Sequence, residues 1–138
     1  MFSEVILVDD REIVNLMHQV SLRQLGMEEI VISFTDPEAA LDRLRFKNRE
    51  ARPTLVILDI EMPVVNGYEF LEFMVLEKLP TNIRVVLASS KIDRAGILGE
   101  RYSQYVIGSF TRPFKVGDLR KLMGSMNGTE IKVPSLVK

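Results

Sequence analysis

The sequence predicts an α/β fold in which a parallel sheet of five strands is covered by helices on both faces. Three observations carry that expectation. Short, continuous apolar runs rich in Val and Ile, such as Val5-Ile6-Leu7-Val8 and Leu55-Val56-Ile57-Leu58, have the composition of strands buried on both faces. Such runs alternate with longer segments of helical period, as successive βα units do. Acidic residues close the runs, Asp9-Asp10 the first and Asp59 the second. Open parallel sheets bind ligands just outside the carboxyl ends of their strands, so these acids predict one carboxylate-rich site.

The first strand spans Glu4 to Asp9. The helix after it has Ile13, Leu16, Met17, Val20 and Gln24 or Leu25 along one face and stops at Gly26, which suits a C-cap. Asp9 and Glu12 have the spacing of a capping box. Ile30 to Phe34 forms the second strand. Asp36-Pro37-Glu38 then opens a helix with a capping side chain, a proline in the first turn and an acid that matches the helix dipole; it runs through Ala40, Leu41 and Leu44 to about Lys47. Pro53 marks the break before the third strand. The turn-rich stretch from Met62 to Gly67 leads into a helix through Phe70, Leu71 and Met74, and Pro80 ends that unit. Val85 to Ala88 is the fourth strand, Asp93 the cap of the fourth helix, Tyr105 to Phe110 the fifth strand, and Lys115 to Met123 a short last helix. Residues 1–124 therefore form one domain. Residues 125–138, where the pattern fades, form a tail read as a flexible, frayed end or a small added strand.

A chain of 138 residues buries a real core but is short for a receptor domain joined to a separate output domain of ordinary size, so a stand-alone domain is expected. Eighteen basic against nineteen acidic side chains give a formal charge of −1, which offers no electrostatic footprint for nucleic acid or an anionic membrane. The expected partner is a protein. Without cysteine, and with His18 as the single histidine, thiol and zinc chemistry are disfavoured, while a hard cation held by oxygen ligands remains open. No basic, leader-like start and no apolar run of spanning length is present, so a cytoplasmic location is expected.

Four motifs, in order at the ends of strands one, three, four and five, resemble the response-regulator receiver domain over about Val5 to Met123. They are Asp9-Asp10; Leu58-Asp59-Ile60-Glu61-Met62-Pro63 with Asn66-Gly67 downstream; Leu87-Ala88-Ser89-Ser90; and Arg112-Pro113-Phe114. The resemblance implies the flavodoxin-like doubly wound sheet in strand order 2-1-3-4-5. It implies that Asp59 is a phosphoacceptor that attacks a phosphohistidine of a histidine kinase or histidine phosphotransfer protein. It further implies Mg2+ held by Asp10, Asp59 and the backbone carbonyl of Glu61, with Asp9 in support, and Ser89 and Arg112 as ligands of the phosphoryl oxygens. The cation answers a physical need, because clustered like charges are costly and an incoming phosphoryl group adds more.

Other roles stay open beside these. Asp9 or Asp10 could cap the first helix. The Glu61 side chain is expected at the rim, facing solvent, and His18 on the helix surface. Two positions depart from the family pattern: Arg112 stands where lysine is usual, exchanging a compact ammonium for a planar fork, and Ser109 stands where a switch aromatic is frequent. Pro113 follows Arg112 in the same switch region. The expected function is a phosphorelay shuttle, or a switch that binds a downstream protein when phosphorylated, and not an enzyme; a homodimer is compatible with either. The departures keep a second reading open, a receiver-like adaptor that works without phosphorylation. A haloacid-dehalogenase-type phosphatase fits less well, because Glu61 stands where that class has a second aspartate. A flavodoxin would cradle phosphate with Ser, Thr and Gly where this chain has Asp9-Asp10.

Overall fold

The computed structural model describes residues 2–46, 53–90, 92–111 and 114–124. The expected end of the second helix at Lys47, the residues Arg112 and Pro113, and the tail 125–138 therefore lie outside the described residues. The elements are β1 (Glu4–Val8), α1 (Glu12–Gln24), β2 (Val31–Phe34), α2 (Pro37–Phe46), β3 (Thr54–Asp59), α3 (Gly67–Leu76), β4 (Ile83–Ser89), α4 (Ile92–Arg101), β5 (Val106–Thr111) and α5 (Val116–Gly124), with a 3-10 turn at Glu28–Ile30 before β2. All neighbouring strands are parallel and the order is β2-β1-β3-β4-β5, the expected doubly wound sheet. Among the described residues no helix is long and apolar enough to cross a membrane.

Alternation along the strands builds two cores. Ile6, Val8, Val56, Leu58, Val85 and Leu87 face α2, α3 and α4, packing on Leu41, Leu44, Phe70, Leu71 and Leu98. Val5, Leu7, Leu55, Ile57 and Val86 face the other way, onto Leu22, Leu25 and Leu119 of the α1 and α5 side. Each side chain so buried contributes roughly 1.5–3 kcal/mol, which explains why both faces of the central strands carry aliphatic residues.

Local signals fix several ends. Gly26 has φ 75°; its N–H donates to the Arg23 carbonyl (2.9 Å) and the Met27 N–H to the Leu22 carbonyl (3.0 Å). This is a Schellman closure, which needs the left-handed conformation glycine adopts freely. The Asp36 carboxylate accepts the Glu38 N–H at 3.0 Å, as a cap at the start of α2 should. At α3 the cap is a full capping box between Asn66 and Glu69.

Three expectations are corrected. The Asp9–Glu12 capping box does not form: the N-cap of α1 is Arg11, without a side-chain cap, and the Asp9 N–H is committed to the Phe34 carbonyl at 3.2 Å. Asp93 lies inside the first turn of α4, not at its cap, because the helix already begins at Ile92. The stripe Ile13, Leu16, Met17 and Val20 faces outward, at 63%, 50%, 45% and 49% exposure. A competing stripe, Val14, His18, Leu22 and Leu25, faces the sheet, with Asn15 beside it. Both stripes have helical period, and packing selects the second.

Tyr105 closes the far end of the sheet. Its hydroxyl donates to the Leu79 carbonyl (2.6 Å), with the Met74 carbonyl at 3.2 Å, clamping the α3–β4 turn. Burial pushes its phenol pKa up from the ordinary value. A pKa raised on folding adds stability that is complete below the unfolded-state value of about 10 and fades as pH rises through the folded-state value. Tyr105→Phe is therefore expected to lower stability by about 1–2 kcal/mol at neutral pH and to flatten the alkaline limb of a urea-denaturation profile. An alkaline limb unchanged in the variant would contradict this.

Candidate functional site

The strand registers bring the candidate residues to one edge. Val8 pairs with Leu58, Asp59 with Ala88, and Ser89 with Thr111. Consequently Asp9, Asp59, Ser89 and the end of β5 all stand at the carboxyl edge of the sheet, where a parallel sheet opens its ligand crevice. Asp9 and Asp59 are 1% exposed and Ser89 is fully buried. Asp10 is exposed. One carboxylate oxygen from each of Asp9, Asp10 and Asp59 lies within 4.8 Å of the others.

Backbone geometry holds these acids in place. The Arg11 N–H donates to Asp9 Oδ1 at 2.9 Å, and the Arg11 guanidinium lies 3.7 Å from the same oxygen. Asn15, buried on α1, donates from Nδ2 to the Asp9 carbonyl (3.2 Å) and to the Phe34 carbonyl (3.1 Å), tying the ends of β1 and β2 to the helix. The Glu61 N–H donates to Asp59 Oδ1 at 3.1 Å, and the Ile60 N–H to the Ala88 carbonyl at 3.1 Å. The loop returns at Gly67, whose N–H donates to the Ile60 carbonyl at 3.2 Å.

Two buried carboxylates and an exposed one at this spacing repel one another, and removing the buried charges from water costs several kcal/mol per ion without a compensating cation. The donors are hard oxygens, two of them screened from bulk water and one open to it, a set that suits an oxygen-seeking divalent cation retaining some of its water. Asp10 also lines a cavity of about 400 Å³ with Asp36, Met62, Pro63 and Val64, so solvent reaches the cluster from that side.

Two side chains stand elsewhere than expected. Glu61 does not point freely into solvent: its carboxylate accepts the Ser90 N–H (3.0 Å) and the Ser90 hydroxyl (2.8 Å to each oxygen), bridging the loops after β3 and β4. His18 is 2% exposed, not on the helix surface; it stacks on Phe114 with ring centroids 4.3 Å apart. Ser109 is exposed on β5. The neighbouring Phe110 is half-buried on the α1 side, against His18 and Phe114. Asn15, Ser90 and His18 are the contributors that sequence reasoning missed. An asparagine six residues after a strand-end aspartate is a signal that could have found the first.

Comparison with known proteins agrees with this geometry. The family model described as the response regulator receiver domain matches residues 5–129. The chain is 30% identical over 120 residues to the probable methanogenesis regulatory protein FilR2 of Methanothrix harundinacea, covering 85% of this chain and 76% of that protein. It is 36% identical over 72 residues to protein-glutamate methylesterase/protein-glutamine glutaminase 1 of Anaeromyxobacter dehalogenans, covering 52% of this chain and only 19% of that longer relative. Among solved structures, a two component response regulator from Cytophaga hutchinsonii superposes with a TM-score of 0.78 at 26% identity, covering 92% of this chain and 98% of that one. With the sheet order, the acidic crevice and the family match in agreement, the chain belongs to the response regulator receiver domain family.

Proposed function

We propose that Asp59 accepts a phosphoryl group from a phosphohistidine of a histidine kinase or histidine phosphotransfer protein, in a reaction that requires Mg2+. The observation that carries this reading is the acidic cluster itself: buried Asp9 and Asp59 with exposed Asp10 at their side, oxygens within 4.8 Å, at the ligand-binding edge of the sheet. Asp10, Asp59 and the Glu61 carbonyl would hold the ion, with Asp9 in support. Bound there, Mg2+ supplies the positive charge that lets a carboxylate approach an anionic phosphoryl group.

An oxygen of Asp59 attacks phosphorus while the phosphorus–nitrogen bond of the donor breaks, and the departing imidazole keeps the electron pair. The Glu61 N–H, already on Asp59 Oδ1, orients the carboxylate. Ser89 donates its hydroxyl and Arg112 its guanidinium to the phosphoryl oxygens. On this reading the chain is a phosphoacceptor signalling domain, at most assisting its own phosphorylation and dephosphorylation. It works in the cytoplasm as a relay shuttle or as a switch for a downstream protein. The outward apolar stripe of α1 begins at Ile13, three residues after Asp10, and would offer a protein donor an apolar surface beside the acidic cluster.

Ser109 favours a second reading at the output step. It is exposed and carries no ring, so a receiver-like adaptor, phosphorylated or not, would bind its partner equally in both states.

Incubation with Mg2+ and acetyl phosphate, followed by intact mass, tests the first reading. The expected result is a gain of one phosphoryl group, lost with a chelator and in Asp59→Ala. No gain in the wild type, or a gain that survives Asp59→Ala, overturns it.

A further inference from the structure

Arg11 puts a cation of the chain's own beside the acidic cluster. Its guanidinium Nε lies 3.7 Å from Asp9 Oδ1, an oxygen that also accepts the Arg11 N–H at 2.9 Å. The two ends of the pair differ in setting: the Asp9 side chain is 2% exposed and the Arg11 side chain 47%. Asp9 is therefore fixed in the interior, whereas the guanidinium can turn into water at little cost.

Helix α1 gains nothing from this arginine. Arg11 is its N-cap residue, with extended backbone (φ −103°, ψ 114°) and no side-chain cap. A positive charge at a helix N-terminus opposes the macrodipole, which the acid of the first turn, Glu12, already answers. What the guanidinium does satisfy is the cluster, in which oxygens of Asp9, Asp10 and Asp59 stand within 4.8 Å of one another. A metal ion bound among those oxygens would meet Arg11 as a like charge at close range.

We propose that Arg11 is a resident counter-cation that competes with Mg2+ for the carboxylates and so sets the Mg2+ concentration at which the crevice loads. This inference rests on the phosphoacceptor reading above, which places Mg2+ on the same acids. As the ion enters, the guanidinium gives way toward solvent, while the Arg11 N–H keeps its hold on Asp9 Oδ1. The buried carboxylate thus stays placed while its counter-charge is exchanged.

The test is a Mg2+ titration followed by backbone amide NMR, with dissociation constants read from the Asp59 and Glu61 shifts. Arg11→Gln and Arg11→Met remove the charge, and Arg11→Lys retains it. Arg23→Gln removes an equal charge near the other end of α1, about 18 Å away along the helix. The expected result is Mg2+ bound roughly three- to tenfold tighter in Arg11→Gln and Arg11→Met, with Arg11→Lys and Arg23→Gln within about twofold of wild type. The advantage of the neutral variants should shrink below about twofold between about 0.05 and about 0.5 M KCl, because salt screens an exposed charge. A damaged site would bind Mg2+ more weakly, so the sign separates charge from damage. An unchanged or weaker affinity in the neutral variants, equal tightening in Arg11→Lys or Arg23→Gln, or an advantage that salt leaves intact overturns the inference. If one neutral variant fails to fold, the other decides. A wild type whose Asp59 and Glu61 amides do not respond to Mg2+ defeats the metal step of the phosphoacceptor reading instead, so the two failures are distinguishable.

Discussion

Arg43→Met is expected to lower folding stability by about 3–5 kcal/mol while leaving phosphorylation of the folded protein unchanged. Arg43 of α2 donates from both Nε and Nη2 to Glu4 Oε2. Glu4 is 2% exposed at the start of β1, whereas Arg43 keeps 28% of its side-chain exposure. The loss comes less from the Coulombic attraction than from leaving a carboxylate in the interior without its guanidinium. The pair lies at the amino end of β1, and the acidic crevice lies at the carboxyl end, so stability and chemistry should separate. Urea denaturation at neutral pH measures the first effect. A loss under about 1 kcal/mol, the range of exposed pairs, would mean that water or another group takes over the role of Arg43.

Gly67→Ala should couple the two quantities that Arg43→Met separates. A Cβ at position 67 would stand 2.6 Å from the Ile60 Cα, 2.6 Å from its Cγ2 and 2.8 Å from its Cβ. Backbone cannot give way as the tip of a flexible side chain can, so either α3 or the residue next to Asp59 must move. Overpacking of this kind costs about 1–3 kcal/mol, at times more. The displaced residue carries the N–H that pairs with Ala88 and the carbonyl that accepts from Gly67, so the Asp59 carboxylate shifts with it. The expected outcome is a lowered denaturation midpoint together with a phosphorylation rate lowered at least tenfold in the folded fraction. A variant that is less stable but phosphorylates at the wild-type rate would show that α3 moves and Ile60 stays.

The parts of the site legible in the sequence are those that depend on where a strand ends. Asp9, Asp10 and Asp59 follow continuous apolar runs, and in a parallel sheet such ends meet whatever the detail of the helices. Ser89 was legible for the same reason. What the sequence left open depends on helix phase and on long-range contact. Two apolar stripes wind around α1, and the one with Ile13, Leu16, Met17 and Val20 has the more regular hydrophobic pattern, yet the stripe with Val14, His18 and Leu22 is buried. With His18 expected on the helix surface, the Phe110–Phe114 cluster around it went unseen. The Glu61–Ser90 bridge joins residues 29 apart, and neither has a local motif that announces the other.

The buried aromatics also qualify what Ser109 implies. The ring absent from that position has no direct replacement, but Phe110, next in sequence, reaches the α1 side of the sheet.

The most direct test of the account is to find where a phosphoryl group resides after reaction with Mg2+ and acetyl phosphate. Borohydride cleaves an aspartyl phosphate to homoserine, and peptide mass then reports the position. The account predicts homoserine at position 59 alone; homoserine at position 9 or 10, or unmodified aspartate at all three, would contradict it.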